Sequence, residues 1–325
     1  VINVGPTYEQ FLTDQIINFP VQGAVADIVA PRIKVDARKG KYEKYDKESF
    51  KVVDVKPRKG MALAKTHSIV SSWEDFETEN YPLRAELTNE YVKEQEKLAK
   101  NPQLAKSVQL QDALVRAREL RAATLFAAAT KSVTLAAYSS PSNIFNVQFD
   151  DTTNSHPFKV IQYYIAYFIT QCGVYPSDIL MNPFIEYALA THPDRDSKDS
   201  QSNNRIQNPS LGNQLLNMNI VRASMPYDST KKNRTASNAF VWGNNIYLIY
   251  KAADVSSESP TAAKTFDSGQ YHGRVTGLAV SYYPGNAGEP GEYVEVQEDV
   301  DEQLTCDDAV FIIKDVLASP TPSLD

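Results

Sequence analysis

The side chains best equipped for chemistry in this 325-residue sequence are four histidines and a run of carboxylates. His67, His156, His192 and His272 show no metal-ligand spacing among themselves, and each reads as a surface or turn histidine. His192 has Asp194 and Asp196 beside it, a grouping that a carboxylate-dependent hydrolase could use. Acids gather at Glu292, Glu295, Glu298, Asp299, Asp301, Glu302, Asp307 and Asp308. They lack the glycine-punctuated spacing of a calcium loop, so a solvated face is expected there rather than a cation site. No Walker-type phosphate loop and no Gly-x-Ser-x-Gly elbow occur, which leaves nucleotide hydrolysis and esterase chemistry without a handle. Cys172 and Cys306 are too few for a secreted disulfide scaffold or a thiolate metal site. Two free thiols are expected, with a disulfide as the alternative. No catalytic, cofactor-binding or metal-binding residue is therefore assigned. Asn233-Arg234-Thr235 fits a glycosylation sequon and is read as chance.

Bulk composition narrows the classes further. There are 33 basic and 40 acidic residues, for a net charge of −7, which argues against gripping nucleic acid by bulk electrostatics. Hydrophobic content of 42% with 10% aromatics supplies core for two or three compact units. No run of about eighteen apolar residues is present, so no transmembrane helix is expected. The amino terminus has no signal-peptide pattern and no initiator Met, which Met removal or cleavage of a precursor would equally explain.

Residues 29–65 carry a pattern of another kind. Ile33 and Val35 alternate with Lys34 and Asp36, and Phe50, Val52, Val53 and Val55 follow the basic segment Ala37–Lys44, which holds Gly40. This is period-two patterning with a turn between, and the doubled Val52-Val53 suggests a bulge. An isolated two-stranded ribbon is at best marginally stable in water, so this one is expected to lie on another chain. Within it Arg32, Lys34, Lys39, Lys41, Lys44, Lys47, Lys51, Arg58 and Lys59 interleave with Asp36, Glu43, Asp46, Glu48 and Asp54. Mixed sign suits reciprocal ion pairs between identical subunits, each weak but repeated at every interface. These residues are the expected subunit-interface set; a solvated hairpin with ordinary surface charges is the alternative.

Other elements follow from periodicity and punctuation. Tyr8, Phe11, Leu12, Ile16, Ile17 and Phe19 have helical spacing ahead of Pro20, and Ala24–Ala30 reads as an extended or weakly helical arm. Met61–Val70 is strand-like, and Thr88 or Asn89 caps a charged helix that Asn101-Pro102 breaks. Leu110, Ala113, Leu114, Ala117 and Leu120 begin a long helix reaching about Ala129, with Arg116, Arg118, Glu119 and Arg121 on its wet faces. The polar stretch Tyr138–His156 is a candidate domain crossing. A second helix runs from Pro157 to Cys172, with Val160, Ile161, Tyr164, Ile165 and Phe168 on one face and Gly173 past its end. Ile179–Met181 is a buried strand, and the helix from Pro183 to Thr191 stops at His192-Pro193. Asp194–Ser210 and Pro284–Gly291 are loops. Strands are expected at Ile220–Ala223, Ala239–Tyr250, Tyr293–Val296 and Val310–Val316, the last two flanking an acidic turn.

Val29-Ala30-Pro31 leads into Lys41-Tyr42 and the hairpin, then come the long helix and the helix after His156-Pro157. Gly173-Val174-Tyr175-Pro176-Ser177-Asp178-Ile179-Leu180-Met181 and Phe240-Val241-Trp242-Gly243-Asn244-Asn245-Ile246-Tyr247-Leu248-Ile249-Tyr250 follow. In this order the pieces resemble the major capsid proteins of tailed bacteriophages, the Hong Kong 97 fold. The resemblance covers most of the chain and implies an α+β fold. Residues 1–30 would be an amino-terminal arm, 31–68 an extended β-hairpin loop, and 69–150 a peripheral domain with a spine helix at about 105–130. Residues 151–290 would be an axial domain, and 291–325 would return to the peripheral strands. It further implies a coat protein that self-assembles into hexamers and pentamers of an icosahedral shell enclosing double-stranded DNA, without sequence-specific binding. The expected location is the virion, after assembly in the host bacterial cytoplasm, with decoration, portal and scaffold proteins as further partners and no membrane or cofactor. Some relatives cross-link a ribbon lysine to a neighbour's asparagine, but no triple of residues stands out here and no cross-link is expected. The rivals are a bacterial nanocompartment shell around a cargo enzyme and the hydrolase built on His192, Asp194 and Asp196.

Overall fold

The computed structural model describes residues 7–8, 23–45, 71–97, 101–138, 146–194, 214–228, 238–256, 259–268, 279–283 and 291–318. Elements run in the order β1 (Thr7–Tyr8), α1 (Ala26–Val29), β2 (Arg32–Lys34), β3 (Lys39–Tyr45), β4 (Ser71–Glu77), β5 (Glu79–Thr88), α2 (Asn89–Lys97) and α3 (Pro102–Ala127). Then come β6 (Ser132–Thr134), α4 (Pro157–Cys172), β7 (Asp178–Met181), α5 (Pro183–Thr191), β8 (Gln214–Leu215), β9 (Met218–Arg222), β10 (Pro226–Asp228) and β11 (Asn238–Phe240). The chain closes with β12 (Ile246–Ile249), β13 (Ala263–Asp267), β14 (Ala279–Tyr283), β15 (Gly291–Leu304) and β16 (Val310–Lys314). Two compact units result: Val1–Gly40, Asp75–Thr124 and Lys264–Gln303 form the first, and Lys41–Glu74, Leu125–Ala263 and Leu304–Asp325 the second. The polar stretch Tyr138–His156 lies inside the second.

The first unit is organised by β15, which pairs antiparallel with β5 from Gly291↔Thr88 to Val300↔Glu79 and with β14 from Tyr293↔Tyr283 to Gln297↔Ala279. The sheet order is β1-β14-β15-β13-β2, with β5 also on β15. Leu110 and Leu114 of α3 close a cluster with Leu87, Val280, Val294 and Val296 of the sheet. Pro102 opens α3 where its missing N–H costs nothing, and Asn101 Oδ1 accepts from the Leu104 N–H at 3.1 Å. Thr88 Oγ1 likewise accepts from the Tyr91 N–H, at 3.4 Å, at the start of α2.

Four sequence expectations change in this unit. Tyr8 is in a strand paired with Ser281, not in a helix, because the edge of β14 offers its backbone a ladder. The acidic turn is a 14-residue strand, since each charge there finds a partner or a half-wet position. On α3, Arg118 and Glu119 are buried at 2% and 1%, while Leu120 is 39% exposed. The inward stripe therefore runs Leu110, Leu114, Arg118, Ala122, four residues apart, rather than through Ala117 and Leu120. Arg116 does lie on the wet side, paired with Asp112 at 2.9 Å.

The second unit is built on a sheet of order β6-β16-β12-β7-β9-β8. β12, β7 and β16 are buried through nearly their whole length, as strands covered on both faces must be. On α4, Phe158, Val160, Ile161, Tyr164, Ile165, Phe168 and Cys172 are buried at helical spacing. Each large apolar side chain so buried contributes about 1.5–3 kcal/mol. Pro157 starts that helix and Gly173, at φ 71°, ends it, its N–H donating to the Ile169 carbonyl. Pro183 opens α5, and the Asn182 side chain accepts from the Ile185 N–H at 2.8 Å. The expected strand Ala239–Tyr250 is two strands, parted by the turn at 241–244, where Gly243 takes φ 63°. Leu216 (φ 51°) and Asn217 (φ 64°) make a two-residue turn of the type that matches strand twist between β8 and β9.

Candidate functional site

Of the expected interface residues, Arg32, Lys34, Asp36, Lys39, Lys41, Glu43 and Lys44 are described; Asp46, Lys47, Glu48, Lys51, Asp54, Arg58 and Lys59 lie outside the described residues, as does the Val52-Val53 bulge. β3 and β4 pair with one another as a two-stranded sheet. In the first unit, Lys39 Nζ meets Glu77 Oε1 at 2.6 Å with both side chains exposed. Gly40 is required there: a Cβ would sit 2.7 Å from the Phe76 ring, which stacks on Phe266 at 4.5 Å. In the second unit, Glu74 accepts from the Tyr42 hydroxyl at 2.9 Å and from Lys44 at 3.1 Å. Burial works against the Lys44 ammonium, but Glu74 and Asp307 outweigh it and raise its pKa. Exposed pairs of this kind are each worth under about 1 kcal/mol, so they set register more than stability. Trp73 on β4 is 65% exposed, a large ring left on the surface beside these charges. Lys34, Asp36, Lys39 and Lys41 are exposed as well.

Arg32 has a different fate. Its guanidinium reaches Asp27 at 2.9 Å, Asp267 at 3.1 Å and Glu298 at 3.1 Å, all within the first unit. Glu298 and Glu302 also take Arg121, both at 3.0 Å, and Arg118 Nε lies 3.7 Å from Glu302. Arg121 additionally stacks over the Tyr81 ring, 3.9 Å from its centroid. Burial opposes the charge on Arg32, and the surrounding carboxylates Glu298, Asp27 and Asp267 more than restore it. The solvated acidic face expected at Glu292–Asp308 is thus corrected: Glu298 and Asp299 are 3% and 4% exposed, and Glu298 and Glu302 are committed to arginines. Among the described residues no group of three or more His, Cys, Asp or Glu could hold a metal ion. Sequence reasoning missed this network. The one available signal was the four-residue spacing that puts Arg118 in line with Leu110, Leu114 and Ala122.

The histidine grouping sits in the second unit. Ser155 Oγ and His192 Nε2 are 2.9 Å apart and buried, and the Asp194 backbone N–H donates to His192 Nδ1 at 3.1 Å. Nδ1 as acceptor leaves the ring proton on Nε2, so the imidazole donates to Ser155 instead of taking its proton. The Asp194 carboxylate is 3.5 Å from His156 Nδ1. This is a clasp between a turn and the end of α5; Asp196 lies outside the described residues. Both cysteines are free and buried, and burial pushes the Cys306 thiol up to about 12, which makes it inert at neutral pH. On the outer side of α4, Tyr163 and Tyr167, four residues apart, are 56% and 39% exposed. No described helix is long and apolar enough to cross a membrane.

No protein-family model and no curated protein matches the sequence. Solved structures do match the fold. A phage-related protein from Bordetella bronchiseptica RB50 is 17% identical with a TM-score of 0.70, over 97% of this chain and 99% of that one. The capsid of cyanophage P-SCSP1u is 10% identical with a TM-score of 0.56, covering 87% of this chain and 85% of that one. The mature capsid of bacteriophage PhiM1 is 11% identical with a TM-score of 0.54, covering 97% and 89%. The chain has the α+β fold of phage capsid subunits, the Hong Kong 97-type fold.

Proposed function

We propose that this chain is the major capsid protein of a tailed double-stranded DNA phage, assembling with copies of itself into the hexamers and pentamers of an icosahedral shell. The observation that carries the reading is reciprocal coverage: the likeness to the PhiM1 capsid subunit takes in 97% of this chain and 89% of that one, so it is a likeness of whole subunits. In this reading the first unit serves as the peripheral domain and the second as the axial domain. Residues 1–30 and 31–68 are then the arm and loop that lie on neighbours. The exposed charges Lys34, Asp36, Lys39 and Lys41 near the ribbon base support that use, because charges of both signs allow copies of one surface to pair reciprocally. The protein works by self-association, in the virion, after assembly in the bacterial host.

Size-exclusion chromatography and electron microscopy of the recombinant chain test this. Megadalton particles, rings or sheets are expected; a small, stable oligomer with hydrolase activity overturns it. Particle contents separate the rival shell: packaged nucleic acid supports the phage coat, and a packaged enzyme without nucleic acid points to a nanocompartment.

A further inference from the structure

Residues 25–32 join the amino-terminal residues to the ribbon, and directional contacts made by side chains fasten them at four points. Glu119 Oε1 accepts from the backbone N–H groups of Val25 and Ala26, each at 2.5 Å. Helix α1 has no side-chain cap of its own, so its cap is supplied from a position 93 residues further on. Asp27 Oδ1 meets Arg118 at 2.5 Å and Arg32 at 2.9 Å. The Thr265 hydroxyl donates to the Ala30 carbonyl at 2.9 Å while accepting from Arg118 at 3.2 Å. Arg32 itself is anchored on Asp267 and Glu298.

Val25, Ala26, Val29 and Ala30 are also buried, but apolar contact tolerates sliding. Charge-assisted hydrogen bonds have preferred lengths and angles, and a one-residue slip of this segment would break every one of them. Arg118 and Glu119 are neighbours on one turn of α3, buried at 2% and 1%, and the residues they hold in this segment, Val25, Ala26 and Asp27, are consecutive. Two adjacent buried charges are costly to bury unless they find partners, and the segment supplies two backbone donors to Glu119 and a carboxylate to Arg118.

We propose that Arg118 and Glu119 form a socket for Val25–Arg32 which sets the direction in which the chain enters from its amino-terminal arm and leaves toward the ribbon, making them positioning residues for assembly. The inference rests on the coat-protein reading above. The test compares wild type, Glu119→Ala and Glu119→Gln, by hydrogen exchange and by electron microscopy of the assembled product. In Glu119→Ala, exchange across residues 23–34 should rise about tenfold or more, the order expected for loss of a charge-assisted hydrogen bond. Peptides from 102–117 and from β15 should keep their protection, and particles should become irregular in size or fail to form. Glu119→Gln retains an acceptor oxygen and should restore uniform particles in part.

Uniform wild-type-like particles from Glu119→Ala overturn the socket and leave the coat reading intact. A loss of protection in 102–117 and β15 equal to that in 23–34 also overturns it, since the role would then be general stability. If wild type itself forms no particles, the coat reading fails and the socket falls with it.

Discussion

Among the described residues, the second unit holds a cluster of 22 buried side chains drawn from α4, α5, the sheet and the segments flanking it. Among the described residues, the first sets one cluster of six buried side chains, and further buried apolar residues such as Phe76 and Phe266, in a unit that also holds Arg32, Arg118 and Arg121, paired with Asp267, Glu298 and Glu302. Apolar burial is non-directional and is not weakened by ionic screening or by titration, so the second unit can absorb small changes of side-chain shape. A buried charge network gains little net stability over a well-packed apolar one, yet removing one member strands the rest in a low dielectric. The first unit is consequently the one in which a single polar substitution has a large and directional effect.

The comparison can be broken most forcefully from the apolar side. Phe168→Ala should cost the second unit about 3–5 kcal/mol, with the same loss at low and high salt. Trp242, 1% exposed in that unit, reports it by fluorescence during denaturation. A marked salt dependence of that loss would show that charge also supports the second unit. In the first unit, Glu298→Ala deprives Arg32 and Arg121 of a shared partner and should cost about 3 kcal/mol. Hydrogen exchange of peptides from β5 and β15 measures it, and a loss below about 1 kcal/mol would mean that the network behaves like a surface one.

Acid sharpens the contrast with a smaller effect. Burial holds His192 neutral, below its ordinary 6.5; His156 adds to this, while Asp194 and Asp151 oppose it. With the folded value depressed, the unfolded chain binds the proton more readily, so stability is present above pH 6.5 and is lost as pH falls from 6.5 through the folded value. Protonated Nδ1 can no longer accept from the Asp194 N–H. The first unit responds later: burial pushes Asp27 up, but Arg118 and Arg32 together hold it below its ordinary 3.8, so its share persists until pH falls below that value. Unfolding midpoints between pH 7.5 and 5 should therefore drop in wild type and stay level in His192→Gln. Smaller again, Asn182→Ala removes the cap of α5 and should cost about 1 kcal/mol, read in the exchange of 183–191. Smallest is Arg222→Ala, which breaks an exposed pair with Glu186 and should change the unfolding free energy by less than about 1 kcal/mol.

Legibility followed locality. α4 and α5 were readable to the residue because Pro157, Gly173, Pro183 and His192-Pro193 act on their own backbone, and no distant partner is needed to interpret them. β7 was readable for the same reason, as a short apolar run between punctuating residues. Arg118, Glu119 and the acids of β15 were misread as wet because charge on a single segment carries no record of what faces it. Their partners stand as many as 266 positions away, as Arg32 does from Glu298.

By itself the amino-acid order determined where α4 and α5 start and stop, which face of α4 is apolar, and the succession of pieces that resembles a capsid subunit, since backbone propensity and periodicity act over a few residues. Tertiary structure alone decided which charges are buried, that Arg32 serves its own unit, and that His192 donates to Ser155. Those outcomes depend on long-range pairing, and a carboxylate's surroundings are set by whichever strand or helix the fold brings against it.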